Sequence, residues 1–290
     1  MEPTKDEIIC RLCGSVAKKE FQTKVLNQYK VVYYKCCDCD LLQSEFPFWL
    51  EEAYNKAISI LDTGIFLRNN ENVKKLTLLL TEVQTQWNEK SFWNSLFRKR
   101  VFFQGKILDF GGGHGILVRL MRDVGFDCFW YDKYAKNDFS EGFSYNPAEN
   151  YDIVLAFELF EHFDKPNENI VEILNFQKPK LLIFSTLLYG SKTPDMNWWY
   201  YSFESGQHIA FYNEKTLAKL ESLTDYSVCS LATDFHILIR KDLNLDFRKL
   251  RKSIRNVESR FPSFRKLYKT KTFEDHLLLK KRTSQAEKES

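Results

Sequence analysis

Three consecutive glycines behind a short apolar run constrain this chain more than any other stretch. Lys106-Ile107-Leu108-Asp109-Phe110-Gly111-Gly112-Gly113-His114-Gly115 reads as the buried end of a strand that Asp109 closes, then a turn no side chain crowds. Beyond Gly115, the apolar residues Ile116, Leu117, Leu120, Met121 and Val124 form a helical stripe, and Gly125 supplies its stop. A strand, a glycine turn and a helix N-terminus make a place where a ligand lies against bare backbone. The bland alternative is a βα turn without a ligand. The dinucleotide fingerprint Gly-x-Gly-x-x-Gly fails here, because Ile116 or Val118 stands where its third glycine belongs.

A second signature follows. Cys128-Phe129-Trp130-Tyr131 is a short aromatic strand ending at Asp132. A carboxylate there, roughly twenty residues past the first glycine, is placed to accept both hydroxyls of a ribose. Taken alone, such an Asp is usually a turn or cap residue; paired with the glycine turn it points to a nucleoside.

With 290 residues, 44% hydrophobic and 16% aromatic, the chain has the material for one packed α/β domain and appendages. No apolar run reaches the length of a membrane span. The charged start, Met1 to Glu7, is unlike a secretory signal, so a cytoplasmic location is expected. The net charge of +3 hides an asymmetry. From Arg240 onward sixteen Lys or Arg face seven Asp or Glu, which leaves 26 basic and 32 acidic residues before it. A mildly acidic body and a strongly basic tail suggest different partners for each.

Seven cysteines cannot all pair as disulfides, and five lie within the first forty residues. Cys10-x-x-Cys13 and Cys36-x-x-Cys39 are two knuckles whose four thiolates suit a closed tetrahedral zinc site, with Cys37 a bystander. Val25-Leu26 and Val31 to Tyr34 predict short strands between them, with a turn near Asn27. A zinc ribbon over residues 1–45 is the expectation, its metal structural.

A helical linker over 46–103 follows, with one helix from Pro47 to about Ile60, a break at Asp62-Thr63-Gly64, and a second helix facing Val73, Leu76, Leu80 and Val83 inward. These helices are expected to lean over the cofactor cleft. Within 104–241, a short third strand is expected near Phe143, a buried strand over Tyr151 to Phe157, and another over Leu181 to Phe184. Helices start at Pro166 and Asn213, and two closing strands lie around Val228 and over Phe235 to Ile239. Strands alternating with helices predict a doubly wound, mostly parallel sheet. In the remaining extension, 242–290, Phe247, Leu250, Ile254, Val257 and Phe261 step by three and four among Lys and Arg. That basic amphipathic helix either docks on the domain or meets phosphates.

Asp109-x-Gly111-x-Gly113-x-Gly115, Asp132, the run from Tyr151 to His162 and Phe184-Ser185-Thr186 together resemble class I S-adenosylmethionine-dependent methyltransferases, over about 140 residues. The resemblance implies the α/β, Rossmann-like seven-stranded methyltransferase sheet with an N-terminal zinc ribbon and a basic helical C-terminal extension. With the cysteine knuckles in front and Trp198-Trp199-Tyr200-Tyr201 leading to Gly206-Gln207-His208 behind, the chain looks like bacterial methyltransferases of surface-polysaccharide and nucleotide-sugar metabolism. It departs from the sugar C-methyltransferases in its short tail and in Gln207-His208, where those enzymes carry Glu-His.

The same resemblance implies S-adenosylmethionine as cofactor. Asp109 and the backbone of Gly111, Gly112, Gly113 and Gly115 would meet its methionine end, Asp132 the ribose, and Phe157-Glu158 its edge. Methyl transfer from a sulfonium is an in-line displacement, so alignment supplies most of the catalysis, and a base is needed only for a tightly held proton. His208, Glu161 and His162 are the candidates, although Glu161 also suits a helix cap, His162 a packed core position and His208 a tie between loop and sheet. Four consecutive aromatics cannot all face inward, so some of Trp198 to Tyr201 should line a pocket. A sugar or nucleotide sugar is the expected acceptor. An RNA methyltransferase, disfavoured by the acidic body, and a non-catalytic cofactor-binding module are the alternatives.

Overall fold

The computed structural model describes residues 6–54, 62–89, 103–255, 257, 277, 280 and 281. Two sheets organise them, and the chain passes between the two more than once.

The first sheet begins as a hairpin-rich ribbon. β1 (Glu7–Ile9), β2 (Val16–Val25), β3 (Tyr29–Cys36) and β4 (Leu42–Ser44) pair antiparallel in that order. Leu26 and Asn27 turn the β2–β3 hairpin with φ of 54° and 56°, the doubly left-handed geometry that matches strand twist. Its fifth strand is distant in sequence: β9 (Ala210–Phe211) pairs with β4 through Leu42 with Phe211 and Gln43 with Ala210.

The second sheet runs β10 (Tyr226–Ser230), β11 (Phe235–Arg240), β8 (Leu181–Ser185), β7 (Ile153–Ala156), β5 (Lys106–Phe110) and β6 (Asp127–Tyr131). The four strands from β8 to β6 are parallel, and β10 and β11 close the edge antiparallel. Every residue of β7 and β8 is buried, the continuous apolar pattern of strands covered on both faces.

The expected seven-stranded sheet is, among the described residues, six-stranded. Where the seventh strand would run, Ser144 makes one parallel bridge to Trp130, held by Trp130 N–H donating to Phe143 and Tyr145 N–H donating to Trp130. Pro147 follows and has no N–H to extend the ladder.

Helices cover the sheet. α3 (Ile116–Asp123) buries Ile116, Leu117, Val118 and Met121, and α4 (Pro166–Gln177) starts on proline, whose missing N–H costs nothing in a first turn. α5 (Glu214–Leu223) carries a reciprocal cap, Asn213 accepting from Thr216 N–H and Thr216 from Asn213 N–H. α2 (Ile65–Glu89) packs against α3 and buries Val73, Leu76, Leu79, Leu80 and Val83.

α6 (Phe247–Arg255) also docks on α2, burying Leu250 and Ile254, so this part of the basic tail is packed on the domain. Val257 is buried in the same core, whereas Phe261 lies outside the described residues. Of the helix expected from Pro47 to Ile60, α1 (Leu50–Ala53) is described and 55–61 are not; most of the aromatic segment 84–103 also lies outside.

Candidate active site

The turn after β5 is built by backbone geometry and one carboxylate. Gly111 and Gly112 N–H both donate to the Tyr131 carbonyl, at 2.8 and 3.1 Å, and Trp130 Nε1 donates to the Gly113 carbonyl at 2.8 Å. Gly111 and Gly113 sit at φ of 75° and 52°. A Cβ on Gly112 would stand 2.8 Å from Asp109 Oδ2 and 2.9 Å from the Trp130 ring, so the close approach itself demands glycine. Gly115 occupies the cap position of α3 at φ 82°.

Beneath that turn lies Asp109, 3% exposed. Burial first, and then the Asp132 charge, push its carboxyl up to about 7. Asp132 Oδ2 accepts from Gly113 N–H at 2.9 Å, while Oδ1 accepts from Tyr134 and Ala135 N–H at 2.7 and 2.8 Å. The carboxylate thus ties the tip of β6 to the glycine turn, the turn role that sequence reasoning weighed for it.

Past β7 the chain bends sharply at Glu158, a non-glycine residue with φ 50°, of the kind that collects at functional sites. Ser185 Oγ holds it from both ends, accepting from Glu158 N–H and donating to Oε1, each at 2.7 Å. Arg68, from the first turn of α2, lies 3.6 Å from the Glu158 carboxylate and 2.7 Å from Asp62. Phe157 stacks on Phe235, and Leu159 lies 3.1 Å from the Cβ position of Gly111. These contacts carry the Phe157–Glu158 edge up to the turn. Phe66, 57% exposed, meets Phe139 edge to face, so the start of α2 reaches the segment after β6 while the rest of that helix serves the core.

The three base candidates converge. One ligating atom each from Glu161, His162 and His208 lies within 4.8 Å of the others. Phe160–His162 is a single 3-10 turn, and Glu161 on it is fully buried. Its Oε1 accepts from the Tyr200 hydroxyl at 2.8 Å, and its buried Oε2 has no partner. Burial, with the nearby Glu158 charge second, pushes the Glu161 carboxyl up to about 8. Burial, and then His208, push His162 down to about 3, and burial likewise lowers His208. Both imidazoles are therefore neutral near pH 7. His208 Nδ1 donates to the Tyr200 carbonyl at 2.6 Å; a carbonyl only accepts, so the lone pair is on Nε2. His162 Nδ1 lies 2.9 Å from the Tyr54 hydroxyl, and the two imidazoles meet edge to face at 4.9 Å. The helix-cap role weighed for Glu161 is not the one it has: it makes no cap bond and points into the cluster.

The ribbon braces this cluster. Ile209 N–H donates to the Glu161 carbonyl and its own carbonyl accepts from Ser44 N–H, so one residue bridges the cluster and β4. Arg11, between the first two cysteines, reaches the Ser44 carbonyl at 3.0 Å and the Ile209 carbonyl at 3.4 Å. Trp49 Nε1 donates to the Gly206 carbonyl and Gln207 Nε2 to the Ala53 carbonyl. A Cβ on Gly206 would meet Leu26 at 2.9 Å, so the β2–β3 hairpin tip rests on the loop before His208.

The cysteine quartet is assembled as its spacing predicts. Cys10 and Cys39 sulfurs are 3.6 Å apart, Cys13 and Cys36 3.5 Å apart, and all four lie within 4.8 Å of one another. Cys39 N–H donates to the Cys36 sulfur at 3.4 Å, and Gly14 turns the first knuckle at φ 76°. Cys37 is exposed and outside the cluster. Of the aromatic run, Tyr200 and Tyr201 are core, whereas Trp199 is 75% exposed.

The supports for these groups were not anticipated. Arg68, Ser185, Tyr54, Arg11 and the Tyr200 hydroxyl all act across long sequence separations. Ser185, Tyr200 and Arg11 stood in motifs already singled out and Tyr54 within an expected helix, but none of them carried a sign of this role.

Among the described residues no helix is long and apolar enough to cross a membrane. No curated protein sequence matches the chain. Among solved structures, it is similar to CalO1, a methyltransferase of calicheamicin biosynthesis, with TM-score 0.36 and 12% identity over 66% of this chain and 59% of that one. It is similar to human N-acetylserotonin methyltransferase with TM-score 0.33 and 16% identity, over 66% of this chain and 65% of that one. The chain thus spans less than two thirds of either protein, and nothing about its acceptor is taken from them. Residues 79–231 match the family described as methyltransferase domain. That match covers the glycine turn, Asp132, Glu158 and the Glu161–His162 turn in over half of the chain, which therefore belongs to the methyltransferase domain family.

Proposed function

We propose that this chain moves the methyl group of S-adenosylmethionine onto a hydroxyl of a small polar acceptor, a sugar or nucleotide sugar. The cofactor lies over the glycine turn, its cationic methionine end toward Asp109, its ribose toward Asp132 and its edge along Phe157 and Glu158. The acceptor enters from the opposite side and brings its hydroxyl to Glu161, His162 and His208.

The observation that carries this reading is the convergence of Glu161, which has a partnerless buried oxygen, with His208, whose Nε2 keeps its lone pair, in one cluster that starts three residues past the Glu158 bend. Groups that accept protons beside a methyl donor suit an acceptor with a proton to lose. In the simplest form His208 Nε2 takes that proton as oxygen attacks, and alignment supplies the rest. Exposed rings at Tyr54, Tyr134 and Trp199 are available to stack on a sugar face.

Zinc belongs in the same proposal, held by Cys10, Cys13, Cys36 and Cys39. Four sulfurs at about 2.3 Å from one ion in tetrahedral array stand roughly 3.8 Å apart, which the 3.5 and 3.6 Å pairs approach. Four protein ligands leave no open position, so this ion is structural and supports the wall that carries His208.

The test is transfer of labelled methyl from S-adenosylmethionine to a panel of nucleotide sugars and free sugars. Label is expected in an acceptor hydroxyl, with S-adenosylhomocysteine formed in equal amount. Tight cofactor binding without transfer to any hydroxyl-bearing acceptor would favour the non-catalytic module instead.

A further inference from the structure

Glu161, His162 and His208 present a problem that a base alone does not solve. His208 spends its Nδ1 proton on the Tyr200 carbonyl, so its Nε2 is left as an acceptor. Glu161 is fully buried, and its Oε2 accepts from nothing. His162 Nδ1 stands 2.9 Å from the Tyr54 hydroxyl, and the Gln207 backbone also bonds this imidazole. Glu161 Oε2 is thus a buried atom without a partner beside the His208 lone pair, an arrangement costly to bury empty.

We propose that Glu161, His162 and His208 hold a divalent first-row cation, distinct from the cysteine-bound zinc, and that this cation binds and ionises the acceptor hydroxyl. The inference rests on the methyl-transfer reading and replaces proton removal by His208 with ionisation of the hydroxyl on the cation, because the single Nε2 lone pair cannot do both. Two imidazoles and one carboxylate form a nitrogen–oxygen set suited to Mn2+, Fe2+, Co2+ or Zn2+. Donor atoms within 4.8 Å of one another close onto such an ion at about 2.1 Å by small side-chain rotations.

The surroundings are those of metal ligands. Each has its remaining polar atom fixed: His208 by the Tyr200 carbonyl, His162 by the Tyr54 hydroxyl, and Glu161 Oε1 by the Tyr200 hydroxyl. Tyr200 therefore orients two of the three ligands, one through its backbone and one through its side chain. Three protein ligands also leave positions open, unlike the cysteine quartet.

The open positions identify the acceptor class. A hydroxyl beside a second oxygen, as in a vicinal diol, chelates the ion and places one oxygen toward the methyl donor. Coordination lowers that hydroxyl's pKa, and its proton leaves to water. The oxygen then attacks the methyl carbon. One C–O bond forms, the C–S bond breaks, and neutral S-adenosylhomocysteine departs with the metal's oxidation state unchanged.

The experiment uses the full chain with its cysteine site loaded with zinc, which thiolates retain against Mn2+. Mn2+ is titrated and followed by electron paramagnetic resonance, in parallel with S-adenosylmethionine calorimetry and thermal unfolding. One saturable Mn2+ per chain is expected. Its affinity should fall about tenfold or more in Glu161→Gln, His162→Ala and His208→Ala, with cofactor affinity and melting temperature retained. Turnover lost on treatment with a mild chelator should return with Mn2+. The inference is overturned if neither Mn2+ nor Zn2+ binds beyond the cysteine-bound ion, or if both histidine variants bind Mn2+ as the native chain does. Full turnover in chelator would sink the metal and leave the methyl-transfer reading intact. Mn2+ binding at these residues without any cofactor binding would do the reverse.

Discussion

The two sides of this site are built on different principles. The cofactor side is local: Asp109, the three glycines and Asp132 sit on two adjacent parallel strands and their turns, within one βαβ unit. The acceptor side is assembled from afar. Glu161 and His162 come from the turn after β7, His208 from the loop before β9 and Tyr54 from the end of α1, and β4 of the ribbon pairs with β9 beside them. A local site survives damage elsewhere, whereas an assembled one fails when any of its supports does. The separation between the two sides is therefore measurable.

The largest effect should follow disruption of the proposed zinc site in the cysteine quartet. Native protein is expected to carry one zinc per chain in the cysteine quartet, and Cys39→Ser should release it. Structural zinc contributes on the order of 10 kcal/mol to small modules, so the ribbon strands should unfold locally. With β4 gone from beside β9, turnover should fall to background. Cofactor affinity should stay within a few fold, because no ribbon residue touches the glycine turn among the described contacts. Elemental analysis, calorimetry and a transfer assay on one preparation check this. Equal loss of both functions would show that the two sides are not separable.

A smaller effect is expected from His208→Asn, which keeps some hydrogen bonding but removes the Nε2 lone pair. Turnover should drop on the order of a hundredfold or more, with cofactor affinity nearly unchanged. A variant that keeps its rate would assign His208 to tying the loop to the sheet, and Glu161 would become the stronger candidate.

On the other side, Asp132→Ala removes the acceptor for Gly113, Tyr134 and Ala135 N–H. Cofactor affinity should fall by roughly 1 to 3 kcal/mol, the range for charge-assisted hydrogen bonds. Unchanged affinity would remove Asp132 from the cofactor's contacts and leave it a turn residue alone.

The gentlest probe is pH. The Asp109 carboxyl stands at about 7 in the folded chain, above its ordinary 3.8. Because the folded state holds this proton where the unfolded chain has lost it, Asp109 favours the cofactor-free fold as pH falls from above 7 toward 4, and that contribution is lost as pH rises through 7. A cationic ligand favours the ionised form instead. Cofactor affinity should therefore weaken below about pH 7, by about tenfold per pH unit at most, and Asp109→Asn should flatten the profile at lower affinity. A native profile as flat as that of Asp109→Asn would contradict the contact.

How much of this was legible follows the same division. The glycine turn, the strand ending at Asp132 and the alternation of strands and helices all depend on neighbours in sequence, where spacing carries the information. The cysteine quartet was legible because four identical ligands at knuckle spacing admit few other uses. The acceptor side was legible only as separate candidates. Nothing in Glu161-His162 and His208 shows that they meet, because Ile209 and the two-residue β9 bring them together and so short a strand has no periodicity. No neighbour of Arg11 or Arg68 in sequence marks their roles, yet one bridges the ribbon to Ile209 and the other approaches the Glu158 carboxylate. The seventh strand was placed correctly near Phe143 and overestimated, since hydrophobic pattern does not show that Pro147 stops the ladder.

The central claim, a cofactor side independent of an assembled acceptor side, is tested most directly by one calorimetric comparison. S-adenosylmethionine is titrated into the native chain, His208→Asn and Asp132→Ala at one pH, with NAD as a control ligand. The account predicts one cofactor per chain, equal affinity in native protein and His208→Asn, weaker affinity in Asp132→Ala, and NAD weaker than S-adenosylmethionine throughout. NAD binding more tightly, or His208→Asn losing as much affinity as Asp132→Ala, would contradict it.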